Sequence, residues 1–191
     1  MIDLLKIWIE EGIFHIIDPT ALDHLLYVVA LAVPFILNKP RQLFILITAF
    51  TVGHTLALGI SATITPVLPK IYIEIGILSS VIFTALLGIW YQDRSPSFLQ
   101  YLITVVIGCI HGLGFGSEFA MMHQHKGWEF VTSLFGFNLG VEVGQVIIIA
   151  ASYCVVFGLT KIGVTNRWLL YIINSGIVFY TLYLLIALIS N

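Results

Sequence analysis

The sequence predicts an all-α fold: a polytopic membrane bundle of about six transmembrane helices behind a short N-terminal interfacial helix. Three observations carry this. Charged residues make up 9% of the 191-residue chain and hydrophobic residues 59%, where a soluble domain carries about 25% charged residues. Mean hydropathy is +1.04. The apolar residues also fall into long runs separated by proline and charge, each near the ~20 residues a spanning helix needs. A single domain over residues 1–191 is expected. The net charge of −2 gives no support to a nucleic-acid partner, so the lipid bilayer is the expected surrounding.

Residues 3–16 read as an amphipathic helix. Leu4, Leu5, Ile7, Trp8 and Ile9 form its apolar part, and Asp3, Lys6, Glu10 and Glu11 its polar part. It is too short to span, so residues 1–18 are expected to form an interfacial helix and turn. The pattern is not that of a cleavable signal, because no apolar core precedes a small-residue cleavage site. Asp18-Pro19-Thr20 breaks the chain, and Asp18 or Thr20 can cap the next helix.

The bundle is expected over 21–189. Its first segment is 21–38, closed by Asn38-Lys39-Pro40. The second is 42–64, closed by Pro66 and Pro69, and the third is 71–91, closed by Asp93-Arg94-Ser95-Pro96. The fourth is 98–120, the fifth 129–159 and the sixth 167–189. The fifth is long enough to tilt, or to kink near its glycines. Loops one, three and five hold Lys39, Arg41, Arg94, Lys161 and Arg167. The N-terminus and loops two and four hold Lys6, Lys70 and Lys126. This bias places both termini outside the cytoplasm.

Small residues recur four apart at Gly108, Gly112 and Gly116, and again at Gly136, Gly140 and Gly144. Such stripes let helix backbones approach closely. The expectation is that they bring the fourth and fifth segments together, and with them His111 and Glu142. Cys109 and Cys154 are lone residues inside apolar runs and read as small core residues. No residue marks an oligomer interface, and a homo-oligomer is left open.

The few polar residues inside the apolar runs carry the functional argument. Burying an acid or imidazole in hydrocarbon without a partner costs several kcal/mol. Asp23 and His24 open the first segment. His54 follows Thr48 and Thr51 in the second, and His111 lies among the glycines of the fourth. Asn138, Glu142 and Gln145 are spaced i, i+4, i+7 and form one polar stripe on the fifth. Glu142 lies roughly 20 Å into that segment at ~1.5 Å per residue, near mid-bilayer. Imidazoles with carboxylates form a ligand set for a divalent transition metal. The expected ligands are Asp23, His24, His54, His111 and Glu142, with His15 as a ligand where metal first arrives. Thr51, Asn138 and Gln145 could orient the imidazoles. Glu74 is either a supporting group or a partner of its own helix dipole. His123 and His125, near Glu118 and Glu129, read as a solvated loop that could also attract cations.

Several stretches together resemble the HupE/UreJ family of bacterial nickel/cobalt permeases. They are His15-Ile16 with Asp23-His-Leu-Leu-Tyr27, Thr48-Ala-Phe-Thr-Val-Gly-His-Thr55, Ile110-His-Gly-Leu-Gly-Phe115, and Phe137-Asn-Leu-Gly-Val-Glu-Val-Gly-Gln145. One departure is that Asp18-Pro19 separates His15 from Asp23, where the family's usual spacing is shorter and holds a glycine. The resemblance implies a polytopic bundle in the bacterial inner membrane that passes transition metals. It carries ligand roles onto His15, Asp23, His24, His54, His111 and Glu142.

The function expected from these readings is binding and membrane transport of nickel or cobalt, with zinc as a third candidate ion. No GxxxxGK[ST] motif is present, so movement would follow a gradient or couple to protons. The alternative is an intramembrane zinc-dependent hydrolase using the same His/Asp/Glu set. A structural metal that holds the bundle together is a third reading.

Overall fold

A computed structural model describes residues 1–19, 22–64, 68–90, 95–122 and 127–190. The cap candidate Thr20, Pro66, the Asp93-Arg94 pair, His123, His125 and Lys126 lie outside the described residues. Among those described the chain is helical and has no strand. The order is α1 (Ile2–Ile17), α2 (Leu22–Ala32), α3 (Pro40–Thr63), α4 (Lys70–Trp90), α5 (Phe98–Met122), α6 (Trp128–Lys161) and α7 (Asn166–Ser190).

Helices α3 to α7 are each long and apolar enough to cross a membrane, with mean hydropathy between 1.8 and 2.1. Their ends fall within two residues of the second to sixth expected segments. Helix α3 starts on Pro40, whose fixed φ and missing N–H suit a first helical position.

The first expected segment is corrected. Its helix, α2, covers 11 residues, about 16 Å at 1.5 Å per residue, which is short of a bilayer core of about 30 Å. Proline is the cause. Pro34 has no N–H for the carbonyl of Ala30, and the N–H groups of Phe35 and Ile36 both turn back to the carbonyl of Ala32. Residues 33–38 continue as turns. Taken together, α1 and α2, bent by 77°, reach the length and apolarity of one membrane crossing.

Helix α1, expected as an interfacial helix, packs lengthwise on α6. Gly136 faces Leu5 and Trp8, Gly140 faces Ile9 and Ile13, Gly144 faces Ile13 and Ile16, and Gly12 of α1 meets the backbone of Phe137 and Val141. Residue numbers rise together on both sides, so α1 and α6 run parallel. Trp8, Gly12 and Ile16 are buried along this seam.

The α5 stripe has a different partner. Gly108 meets Phe50 and His54, Gly112 meets His54 and Leu58, Gly116 meets Ser61, and Gly53 of α3 answers onto Val105 and Cys109. Helices α3 and α5 are therefore parallel and in backbone contact. The expectation that the two glycine stripes face each other is overturned, since each stripe serves its own partner. Between α5 and α6 stand aromatic rings: Phe115 and Phe119 lie 5.2 Å and 5.5 Å from Phe137. Helix α4 packs on α2, α5 and α7.

Candidate metal centre

Four helices bring one histidine each to the same point. His15 ends α1, His24 opens α2, and His54 and His111 sit at the α3–α5 seam. Ring centroids are 4.7 Å apart for His15 and His24, 4.9 Å for His24 and His111, and 6.0 Å from His54 to both His15 and His24. His24 is 4% exposed, and His54 and His111 are fully buried. Asp23 lies beside them, its Oδ2 3.4 Å from His24 Nδ1, with its side chain 24% exposed.

Local structure explains the convergence. The bend between α1 and α2 folds His15 back onto His24. Gly112 follows His111 and lets α5 settle on the carbonyl of His54, which puts both imidazoles at one level. Rings of Phe50, Tyr27, Phe115 and Phe137 wall the cluster.

The donor atoms form two overlapping triads. In His15/His24/His54, and again in Asp23/His24/His111, one ligand-type atom from each residue lies within 4.8 Å of the others. His24 belongs to both. No other such group of three occurs among the described residues.

The neighbours set two tautomers. His54 Nδ1 is 3.0 Å from Asn138 Oδ1. The Asn138 amide is turned so that its Nδ2 donates to the carbonyl of Leu134. Its oxygen therefore faces the ring, His54 Nδ1–H donates, and Nε2 keeps the lone pair. His111 Nε2 is 3.0 Å from Ser80 Oγ. Ser80 spends its one proton on the carbonyl of Ile77 at 2.7 Å, so its oxygen accepts from His111 Nε2–H and Nδ1 keeps the lone pair. Those two lone-pair nitrogens are buried and without a hydrogen-bond partner, as are His15 Nε2 and His24 Nε2, while His24 Nδ1 has only Asp23 Oδ2, 3.4 Å away. Buried polar atoms are nearly always satisfied. Four such nitrogens at one place are donors free to meet a bound ion.

The α6 stripe faces α3 as a polar ladder, with Asn138 on His54. Thr51 Oγ1 lies 3.1 Å from Gln145 Oε1 and 3.2 Å from the carbonyl of Ile47, two acceptors that share its one proton. Glu142, expected among the ligands, stands outside both triads. Its Oε1 accepts from Thr48 Oγ1 at 2.7 Å, because Asn138 occupies the position on the stripe that meets His54. Glu74 is also remote, 3.8 Å from Lys70 at the start of α4, where Lys70 also pairs with Glu118 at 3.5 Å. The roles of Ser80 and Thr48 were missed by sequence reasoning. A lone hydroxyl in an apolar run usually bonds its own helix, and only the fold shows which of them meets a histidine or an acid.

A family profile described as HupE / UreJ protein matches residues 1–188, almost the whole chain. No curated protein and no solved structure matches it.

Proposed function

This chain belongs to the HupE/UreJ family, and we propose that it binds a divalent transition metal, nickel or cobalt, at the histidine cluster and carries it across the membrane. The observation that supports this most is the pair of triads sharing His24. Neutral imidazole nitrogens with one carboxylate suit borderline metals such as nickel, cobalt and zinc. Asn138 and Ser80 fix ring orientation, the usual role of partners behind metal-binding histidines.

The metal is cargo, so it must be released as well as bound. Asp23 is the exposed member and would meet the ion first, from the side where the α1–α2 bend lies. His24, common to both triads, would pass it between them. We place both termini outside the cytoplasm, in a bacterial inner membrane. A hydrolase would need a base beside the metal, and the Glu142 carboxylate is instead bonded to Thr48.

The test is flux. Purified protein in sealed vesicles with a trapped nickel- or cobalt-sensitive dye should admit the ion in at least one orientation of a proton gradient. His24→Ala should abolish the signal, since it removes a ligand from each triad. Absence of wild-type flux under either gradient sign would sink the transport reading.

A further inference from the structure

We infer that the broken end of α2 forms a binding site for an alkali cation of sodium size, separate from the histidine cluster. A cavity of about 30 Å³ lies there, with Ala30, Leu31, Pro34, Thr84, Gly88 and Thr104 among its walls. About 10–15 Å³ is enough for one water-sized particle, so it has room for about two waters, or for one ion with a water beside it.

Oxygens at this place lack partners. Because residue 34 is proline, the carbonyl of Ala30 has lost its helical donor. Phe35 N–H goes to Ala32, so the carbonyl of Leu31 loses its donor too. Thr84 Oγ1 is buried and unpartnered, whereas the buried Thr51 and Thr104 both bond back to the carbonyl one turn earlier. Asn174 of α7 is fully buried, and neither its Oδ1 nor its Nδ2 has a partner. It lies against Gly88, where a methyl group would meet Asn174 Nδ2, Pro34 Cγ and the carbonyl of Ala30. The glycine therefore keeps the amide next to the freed carbonyl, and a half-turn of the amide about χ2 brings its Oδ1, also unpartnered, to that place. Unpartnered amides and hydroxyls in an apolar interior are costly.

The chemistry selects the ligand. The cavity walls hold no histidine, cysteine, aspartate or glutamate among the described residues. Neutral hydroxyl, amide and carbonyl oxygens suit a hard cation and not a borderline transition metal. With no carboxylate to balance a second charge, a monovalent ion fits best. The negative end of the α2 dipole points the same way, and unwound carbonyls at broken membrane helices commonly hold sodium. Ala30 stands six residues beyond His24, roughly 9 Å along α2 at 1.5 Å per residue, so this is a distinct position on the same helix.

The thermal unfolding midpoint of the detergent-purified chain is compared in sodium, potassium and choline chloride at equal ionic strength, together with radioactive sodium binding. Sodium should raise the midpoint saturably, by on the order of 2–4 °C for each kcal/mol of binding in a chain this size. Thr84→Val and Asn174→Leu should each abolish the sodium response while nickel binding persists. Should Asn174→Leu not fold, Thr84→Val alone decides. Equal midpoints in sodium and choline with no bound tracer mean that the cavity holds water only, and overturn the inference. So does a sodium response that survives in every folded variant.

Discussion

His54 Nδ1 donates across the α3–α6 interface to Asn138 Oδ1 at 3.0 Å, and the amide is held in that sense by its second bond to Leu134. The neutral tautomer is thus set by a residue on a different helix, one turn from the acid that the polar stripe seemed to offer. Ser80 does the same for His111 from α4. The centre is therefore organised from behind by two neutral groups.

Removing either orienting group should weaken metal binding without removing a ligand. Asn138→Leu and Ser80→Ala are each expected to lower nickel or cobalt affinity by about 10–100-fold, the usual effect of losing such a partner. Calorimetric titration of folded variants measures this. Unchanged affinity in both would mean that the ring orientations do not matter.

Binding should depend on pH. Coordination needs the imidazole lone pair and an ionised carboxylate, so protons compete with the metal. Affinity should fall toward acid pH, where protons take the imidazole lone pairs and the carboxylate. A level profile down to the acid limit of folding in direct binding measurements would argue against imidazole ligation.

Glu142→Gln should leave metal affinity nearly unchanged, because the carboxylate stands outside both triads and glutamine can still accept from Thr48. Elemental analysis of purified protein checks it. Loss of bound metal in the folded variant would return Glu142 to the ligand set. If affinity holds while vesicle uptake falls, Glu142 acts in movement and not in binding.

Glycine positions separate into two classes. A methyl at Gly108 would press on the carbonyl of Phe50, and one at Gly140 on the carbonyl of Ile9. Gly108→Ala and Gly140→Ala should each cost about 1–3 kcal/mol through overpacking, read as a lower unfolding midpoint. Gly158 has no neighbour within 4 Å of its Cβ position, so Gly158→Ala should not lower the midpoint. Equal behaviour at all three would remove the packing argument for parallel pairs.

A C-terminal reporter active only in the cytoplasm should be silent, given the five cations in odd loops against three elsewhere. The parallel pairs α1/α6 and α3/α5 agree with an even number of crossings. A strong cytoplasmic signal would invert the assignment.

The sequence by itself determined the class of protein, the five unbroken spans to within two residues, and the residue types that meet in the core. It could do so because hydropathy and run length are local quantities, and because a polar side chain in hydrocarbon needs a partner wherever that partner comes from. It also held a local signal in Pro34 that the first span ends early, although run length alone reads through it. Tertiary structure decided the pairings. The same glycine spacing on α5 and α6 says that some backbone comes close but not whose, and the answers are α3 and α1. Asn138, Glu142 and Gln145 share one face by helical period, yet only the offset between α3 and α6 puts Asn138 on His54 and Glu142 on Thr48. His15 reaches the cluster through the bend after α1, and Ser80 enters from α4, which supplies none of the residues of the two triads. Each of these depends on the relative placement of whole helices, which is fixed by the sum of many backbone and side-chain contacts and leaves no periodic trace in any one segment.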